Sequence, residues 1–322
     1  MPQVFFTSAQ LQSRSGRFGV ESKGSRSADA HARLRPCPRR RGFTLIELLV
    51  VIAVVALLIS LALPSLRHAR NLSRQVREMT AASQLMIAFN TYANDSKGDV
   101  LPGYPTAAMV SAMNVTDDRG QRLTGALAQR YPWRLIPYLN YQVGSLYNNQ
   151  ALLSELRADG SKYASVGADY RYFISLYPMF GMNVNFVGGN FDRPFAALEE
   201  RQFGRQHIRR LDESRRPSRL IAFASARTGQ NPLIPELGKP EGSFRIDPPY
   251  WRTSQGRRWA AAYDPSAADP SSNSGSVSLR WDGKGVAVML DGHVESLGFD
   301  QFQDMTRWSD RASSPTWTID QR

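Results

Sequence analysis

The stretch RRRGFTLIELLVVIAVVALLISLALP, residues 39–64, sets three arginines and a glycine against an apolar run holding one carboxylate, Glu47, near its start. As a helix, residues 43–63 would extend about 31 Å at about 1.5 Å per residue, enough to cross a hydrocarbon core of about 30 Å. Residues 48–59 are an unbroken series of Val, Ile, Leu and Ala, and the first proline is Pro64. A carboxylate near the edge of a membrane segment costs about 2 to 3 kcal/mol even on mild insertion scales, so it marks a function or a partner.

Three readings fit the run. A secretory signal has the same basic region before an apolar one, and Ser60-Leu61-Ala62 would serve as a small-x-small cleavage site. That reading leaves Glu47 without a purpose. A plain signal anchor would hold the arginine-rich end in the cytoplasm, although Arg67, Arg70, Arg74 and Arg77 on the far side make the charge bias less one-sided. The third reading uses the arginines, the glycine and Glu47 together.

Gly42-Phe43-Thr44-Leu45-Ile46-Glu47, preceded by arginines and followed by an apolar helix, resembles the class III signal of type IV prepilins and type II secretion pseudopilins. The resemblance implies that residues 1–42 are a leader, and that a membrane prepilin peptidase cuts between Gly42 and Phe43 on the cytoplasmic side. It also implies that the same enzyme N-methylates Phe43. Glu47 would then neutralise the terminal amine of a neighbouring subunit during filament assembly, since either charge left alone near lipid is costly. It could instead pair with its own terminus or favour the positive end of the helix dipole. Pro64 stands where helices of that family bend or loosen. The implied partners are other pilin or pseudopilin subunits, a platform protein with its ATPase, and the lipid bilayer.

Beyond Pro64 helical spacing persists at Leu72, Val76, Met79, Leu85, Met86 and Phe89. Tyr92, Gly98 and Pro102 then fit a helix stop and a turn. The expected organisation is a helix over 43–94, membrane-spanning in 43–63, and a head over 95–322. A chain of 322 residues is long enough for a core of ordinary size.

The formal net charge of +12 would on its own suggest nucleic acid as a partner. Residues 1–42, however, hold nine basic groups against two acids, which leaves only +5 on the rest. The clusters Arg205, Arg209 and Arg210, and Arg215, Arg216 and Arg219, lie among acids and lack interleaved aromatics, so they read as solvated faces. Nucleic acid is not an expected partner. The one cysteine, Cys37, lies in the leader, and the four histidines have no metal-ligand spacing.

In the head, RYPWRLIPYL (residues 130–139) reads as a short helix and packed loop belonging to the core. The competing reading is a binding surface for sugar or peptide on Tyr131, Trp133 and Tyr138. ALLSELRADG (151–160) reads as a short helix ended by glycine, and 228–242 and 267–276 as exposed loops. RLIAFASA (219–226) is a buried strand, and residues 276–297 read as strand, turn, strand, turn, strand. FDQFQDMTRW (299–308) reads as a short amphipathic helix. Asp291-Gly292-His293-Val294 resembles the second half of a carboxy-terminal signature of pseudopilin-like proteins, a histidine, nine residues, then Asp-Gly. Trp281 stands where that histidine would be.

Asp282, Asp291 and Glu295 are the acids a calcium ion would use, but Asp-Gly is first a turn signal, and no metal or other cofactor is expected. No nucleophile or phosphate-loop motif is present, so no catalytic residue is nominated. The expected fold is α+β, a long amino-terminal helix followed by a head with an antiparallel sheet. The expected function is a pseudopilin-like structural subunit, single-pass in the bacterial inner membrane, with its amino terminus cytoplasmic and its head periplasmic or extracellular. The alternative is a membrane-anchored carbohydrate- or protein-binding module that does not assemble.

Overall fold

The computed structural model describes residues 42–147, 150–158, 163, 167, 169–231, 234–235 and 241–321. The protein is α+β. Helix α1 (Leu45–Asp95) is followed by helices α2 (Ala107–Ala112), α3 (Gly125–Gln129), α4 (Tyr131–Leu135), α5 (Gln150–Ala158) and α6 (Tyr170–Leu176). Strand β1 (Phe180–Met182), helix α7 (Ala196–Phe203), strand β2 (Ile221–Ser225) and helix α8 (Pro270–Ser274) come next. Strands β3 (Lys284–Met289) and β4 (Val294–Gly298) and helix α9 (Phe299–Phe302) follow, with short 3-10 turns between several of the elements. The chain divides into two compact units, Met1–Leu58 and Ile59–Arg322.

In the first unit every described residue is exposed. The apolar side chains from Leu45 to Val55 are therefore left uncovered by the described residues. α1 meets the length and composition needed to span a bilayer, and none of its most apolar window is buried.

In the second unit the sheet has the order β1-β2-β3-β4, antiparallel throughout. Period-two alternation distributes β3 over two cores: Val286 and Val288 face one, Ala287 and Met289 the other. The first core takes Ala82, Leu85, Met86 and Phe89 from α1, one face at i, i+3, i+4, i+7. Phe89 meets Phe223 of β2 edge to face at 5.6 Å, and Tyr131 meets the same ring at 5.3 Å. The second core gathers Trp251, Trp259, Trp308 and Trp317 on the opposite face. The sheet is thus covered on both sides, which is why its central strands are almost continuously apolar.

α1 ends in a Schellman motif: Gly98 N–H donates to the Ala93 carbonyl at 2.7 Å and Lys97 N–H to that of Asn94 at 3.2 Å. Two consecutive residues there have positive φ, Lys97 at +57° and Gly98 at +92°.

Several local expectations are corrected. Leu72 and Val76 are 53% exposed and take no part in the core, although they share the helical spacing. The first strand expected within 276–297 does not form: Ser276 has φ +68°, Val277 makes one bridge to Ala226, and β2 occupies the edge of β3 instead. Asp282 and Gly283, both at positive φ, form a two-residue turn in which Trp281 and Lys284 exchange hydrogen bonds at 2.9 and 3.0 Å. The expected loop at 267–276 contains α8, capped by Asp269. The expected helix over 299–308 is α9 followed by a separate 3-10 turn, Met305–Arg307. Gly160, the expected stop of α5, lies outside the described residues, as does most of the leader with Cys37.

Candidate functional site

The segment around Glu47 is built by α1's first turn. Thr44 N–H and Oγ1 donate to Glu47 Oε2 at 2.8 and 3.0 Å, and Glu47 N–H donates back to Thr44 Oγ1 at 3.2 Å. This reciprocal capping box satisfies amide donors that an α-helix leaves open at its start. Its signal in the sequence is Thr-x-x-Glu directly before an apolar run. Glu47 therefore has a partner within its own chain. Both bonds donated by Thr44 go to Oε2, and the whole group is exposed.

Gly42 and Phe43 precede the helix and are exposed, Phe43 at 73%. A Cβ added at Gly42 would meet nothing within 4 Å. Any demand for glycine there comes from whatever reads the segment, not from the fold. Pro64 lies inside α1, which continues past it. Proline gives no N–H to the ladder, and the adjoining Ser65 hydroxyl donates to the Ala62 carbonyl at 2.8 Å.

A second carboxylate of α1, Glu78, was not singled out from sequence, and it is 3% exposed. Ser225 Oγ of β2 donates to Glu78 Oε1, and Trp281 Nε1 donates to Oε2 at 3.0 Å. Arg280 Nε lies 3.8 Å from Oε2. Ser225 Oγ also accepts the Val286 amide of β3 at 2.9 Å, so one side chain of α1 is joined to β2, β3 and the Asp282-Gly283 turn. Trp281 acts here as an indole N–H donor to Glu78. The sequence signal was an acid amid an otherwise apolar face.

The face of α1 turned away from the sheet has a different character. At about 100° per residue, Ala69, Ser73, Val76, Thr80 and Ile87 lie roughly opposite Glu78, Ala82, Leu85 and Phe89. They are small, apolar or hydroxylated, none is charged, and Ile87 is 63% exposed.

At the β3–β4 turn Gly292 adopts φ +100°, the left-handed conformation glycine tolerates best. His293 Nδ1 lies 2.6 Å from Asp291 Oδ1 and its Nε2 lies 2.9 Å from Glu295 Oε1, while Arg307 holds the other Glu295 oxygen at 2.9 Å. Partial desolvation opposes the charged imidazole, but the hydrogen bonds to Glu295 and Asp291 outweigh it and raise its pKa above the ordinary histidine value. The His293 bond is in turn the main cause that lowers the pKa of Glu295. The two acids sit on opposite ring nitrogens, and Asp282 lies at the other end of β3. Among the described residues no three His, Cys, Asp or Glu groups converge on a point that could hold a metal ion.

The aromatic patch at 130–139 belongs to the core. Tyr131 and Trp133 are fully buried, with Tyr131 Oη donating to the Phe180 carbonyl at 2.6 Å and Trp133 Nε1 to that of Arg171 at 3.0 Å. Neither can stack on a ligand. Tyr138 is half-buried against Tyr92 at 5.6 Å. The arginine clusters are also engaged: Arg205 pairs with Glu213 at 2.9 Å, Arg210 with Asp212 at 3.1 Å and Arg219 with Asp304 at 3.4 Å. Arg216 donates to the carbonyls of Asp310 and Ala312, each at 2.8 Å.

Residues 37–63 match the family model for the prokaryotic N-terminal methylation motif. No curated protein and no solved structure matches the chain. The chain thus carries a prepilin-type amino-terminal segment, of the kind that is cleaved, methylated and assembled with other pilin subunits. Proteins with this motif are structural pilin-type subunits, not enzymes. One long apolar helix joined to that motif fits a single-pass anchor in the inner membrane.

Proposed function

We propose that the protein is a pseudopilin-like subunit of a type II secretion pseudopilus or a type IV pilus-like filament. Residues 1–42 are removed by cleavage between Gly42 and Phe43, Phe43 is N-methylated, and the mature chain consists of the helix over 43–94 and a head over 95–322. The amino terminus is cytoplasmic and the head periplasmic or extracellular, with a platform protein and an ATPase driving assembly. The observation that carries this reading is an apolar helix exposed along its first half, headed by a single carboxylate within a methylation motif. Such a surface needs lipid first and neighbouring helices later.

In this mechanism α1 supplies apolar packing between subunits, aided by the uncharged face at Ala69, Ser73, Val76 and Thr80. Glu47 meets the terminal amine of an adjacent subunit, for which it would exchange part of its bonding to Thr44. Pro64 gives the helix a point at which to bend. Burial of Tyr131 and Trp133 removes the aromatic platform on which a carbohydrate-binding module would have relied.

Mass spectrometry of the amino-terminal peptide, from protein isolated out of its native membranes, tests the proposal. A chain beginning at N-methylated Phe43 is expected. A chain beginning at Leu63, or an uncut leader, would overturn the reading. Gly42→Ala should retain much of the processing and a bulky Gly42→Leu should block it; an added Cβ at this position meets nothing within 4 Å in the fold.

A further inference from the structure

Arg67, Arg70, Arg74 and Arg77 follow the apolar segment, and at about 100° per residue they fall within about 80° of one another around α1. All four are exposed. Among the described residues none of them has an ion-pair or hydrogen-bond partner. α1 itself offers no anion, because it has no acid between Glu47 and Glu78, and Glu78 is committed to Ser225, Trp281 and Arg280. A cationic stripe left unpaired by its own chain is complementary to anions from outside.

Its height relative to the apolar segment selects the anion. Counting from Leu63 at about 1.5 Å per residue, Arg67 and Arg70 stand about 6 and 10 Å beyond the hydrocarbon edge, and Arg74 and Arg77 about 16 and 21 Å. The headgroup layer on one side of a bilayer is about 5 to 8 Å thick. Arg67 lies within it, Arg70 reaches it by directing its side chain back along the helix, and Arg77 stands clear of it.

We infer that Arg67 and Arg70 bind the phosphates of anionic phospholipid headgroups in the leaflet nearer the globular part, fixing the depth of the unassembled subunit. The inference rests on the membrane-anchored reading above. Guanidinium groups offer paired N–H donors that match phosphate oxygens. A zwitterionic headgroup carries its own cation and gains less. An acidic protein segment, in contrast, would engage the stripe without regard to depth and would use Arg77 as readily as Arg67.

The test is native mass spectrometry of the full-length mature protein in mild detergent, titrated with phosphatidylglycerol and, in parallel, with phosphatidylcholine. At about fivefold per arginine near the membrane surface, Arg67→Gln with Arg70→Gln should weaken phosphatidylglycerol binding about 25-fold. Arg77→Gln should stay within about twofold of the parent, and phosphatidylcholine binding should not change. The inference is overturned by parental affinity in the double variant, by an equal loss in Arg77→Gln, or by loss of protein dimers with lipid adducts intact. Among the described residues the four side chains make no hydrogen bond or ion pair, so thermal unfolding of all variants should match. Release of the protein from membranes by alkaline carbonate without detergent would refute the membrane anchor itself. A detergent-dependent protein without phosphatidylglycerol preference would refute only the lipid site.

Discussion

Replacing Glu78 by alanine would separate α1 from the sheet electrostatically without touching the motif. The carboxylate is 3% exposed, accepts from Ser225 Oγ and Trp281 Nε1, and faces Arg280 at 3.8 Å. Truncating one partner of a buried charge pair typically costs about 3 to 5 kcal/mol. The lower end applies here, because Arg280 keeps the Ala226 carbonyl at 2.6 Å and Glu241 at 3.4 Å, and Ser225 keeps the Val286 amide. A loss of about 3 kcal/mol corresponds to about 6 to 12 °C in Tm for a domain of this size. Glu78→Gln can still accept from Trp281 and bond Ser225, so its loss should be about 1 kcal/mol. Thermal unfolding of the detergent-solubilised full chain, followed by tryptophan fluorescence, measures both. An alanine variant within 2 °C of the parent would refute the reasoning, as would equal losses in the two variants, which would mean that only charge and not hydrogen bonding matters at this site.

Three further outcomes are expected. Thr44→Ala should remove the capping box at a cost of about 1 kcal/mol to the helix end and leave filaments intact. Glu47→Ala should permit processing but impair assembly, and normal filament yield in Glu47→Ala by electron microscopy would remove the charge-pairing role. His207, packed on Gly189 and edge-on to Phe191 at 5.3 Å, has its pKa lowered to about 4 by burial first and by Arg205 and Arg209 second, against Glu213. Its folded pKa lies below its unfolded value, so its neutral form gives stability that is complete above about pH 6.5 and lost as pH falls toward 4. Melting curves of His207→Phe across that window should be flatter than those of the parent, and an unchanged slope would assign the acid sensitivity elsewhere.

The long helix and the α+β class were legible because they rest on local patterns: an apolar run, 3.6-residue spacing and Asp-Gly turns. What was not legible depended on long-range pairing. Leu72 and Val76 have the same spacing as Leu85 and Phe89, but only the latter meet the sheet, a fact that nothing on one helix reveals. Ser276 to Arg280 has good strand composition, but β2 takes the edge of β3, so the segment has no ladder to join. Glu78 looked like one more polar residue between apolar ones until Ser225 and Trp281, more than 140 residues away in sequence, supplied its bonds. The Thr44 and Glu47 capping box was different: it lay in plain view within four residues, and the interest of Glu47 as an intersubunit charge obscured its simpler local role.

The pair of charges at the start of α1 has an electrical consequence. After a cut before Phe43, residues 43–63 would carry only the terminal amine and Glu47, one charge of each sign. Pulling that segment outward through an energised membrane would then do no net work against the voltage. Residues 1–42 carry nine basic groups against two acids, and at about 2.3 kcal/mol per charge per 100 mV they would add a load of about 16 kcal/mol per 100 mV. Removal of the leader would make departure from the bilayer electrically silent, and Glu47→Gln would make it voltage-dependent again by a single charge.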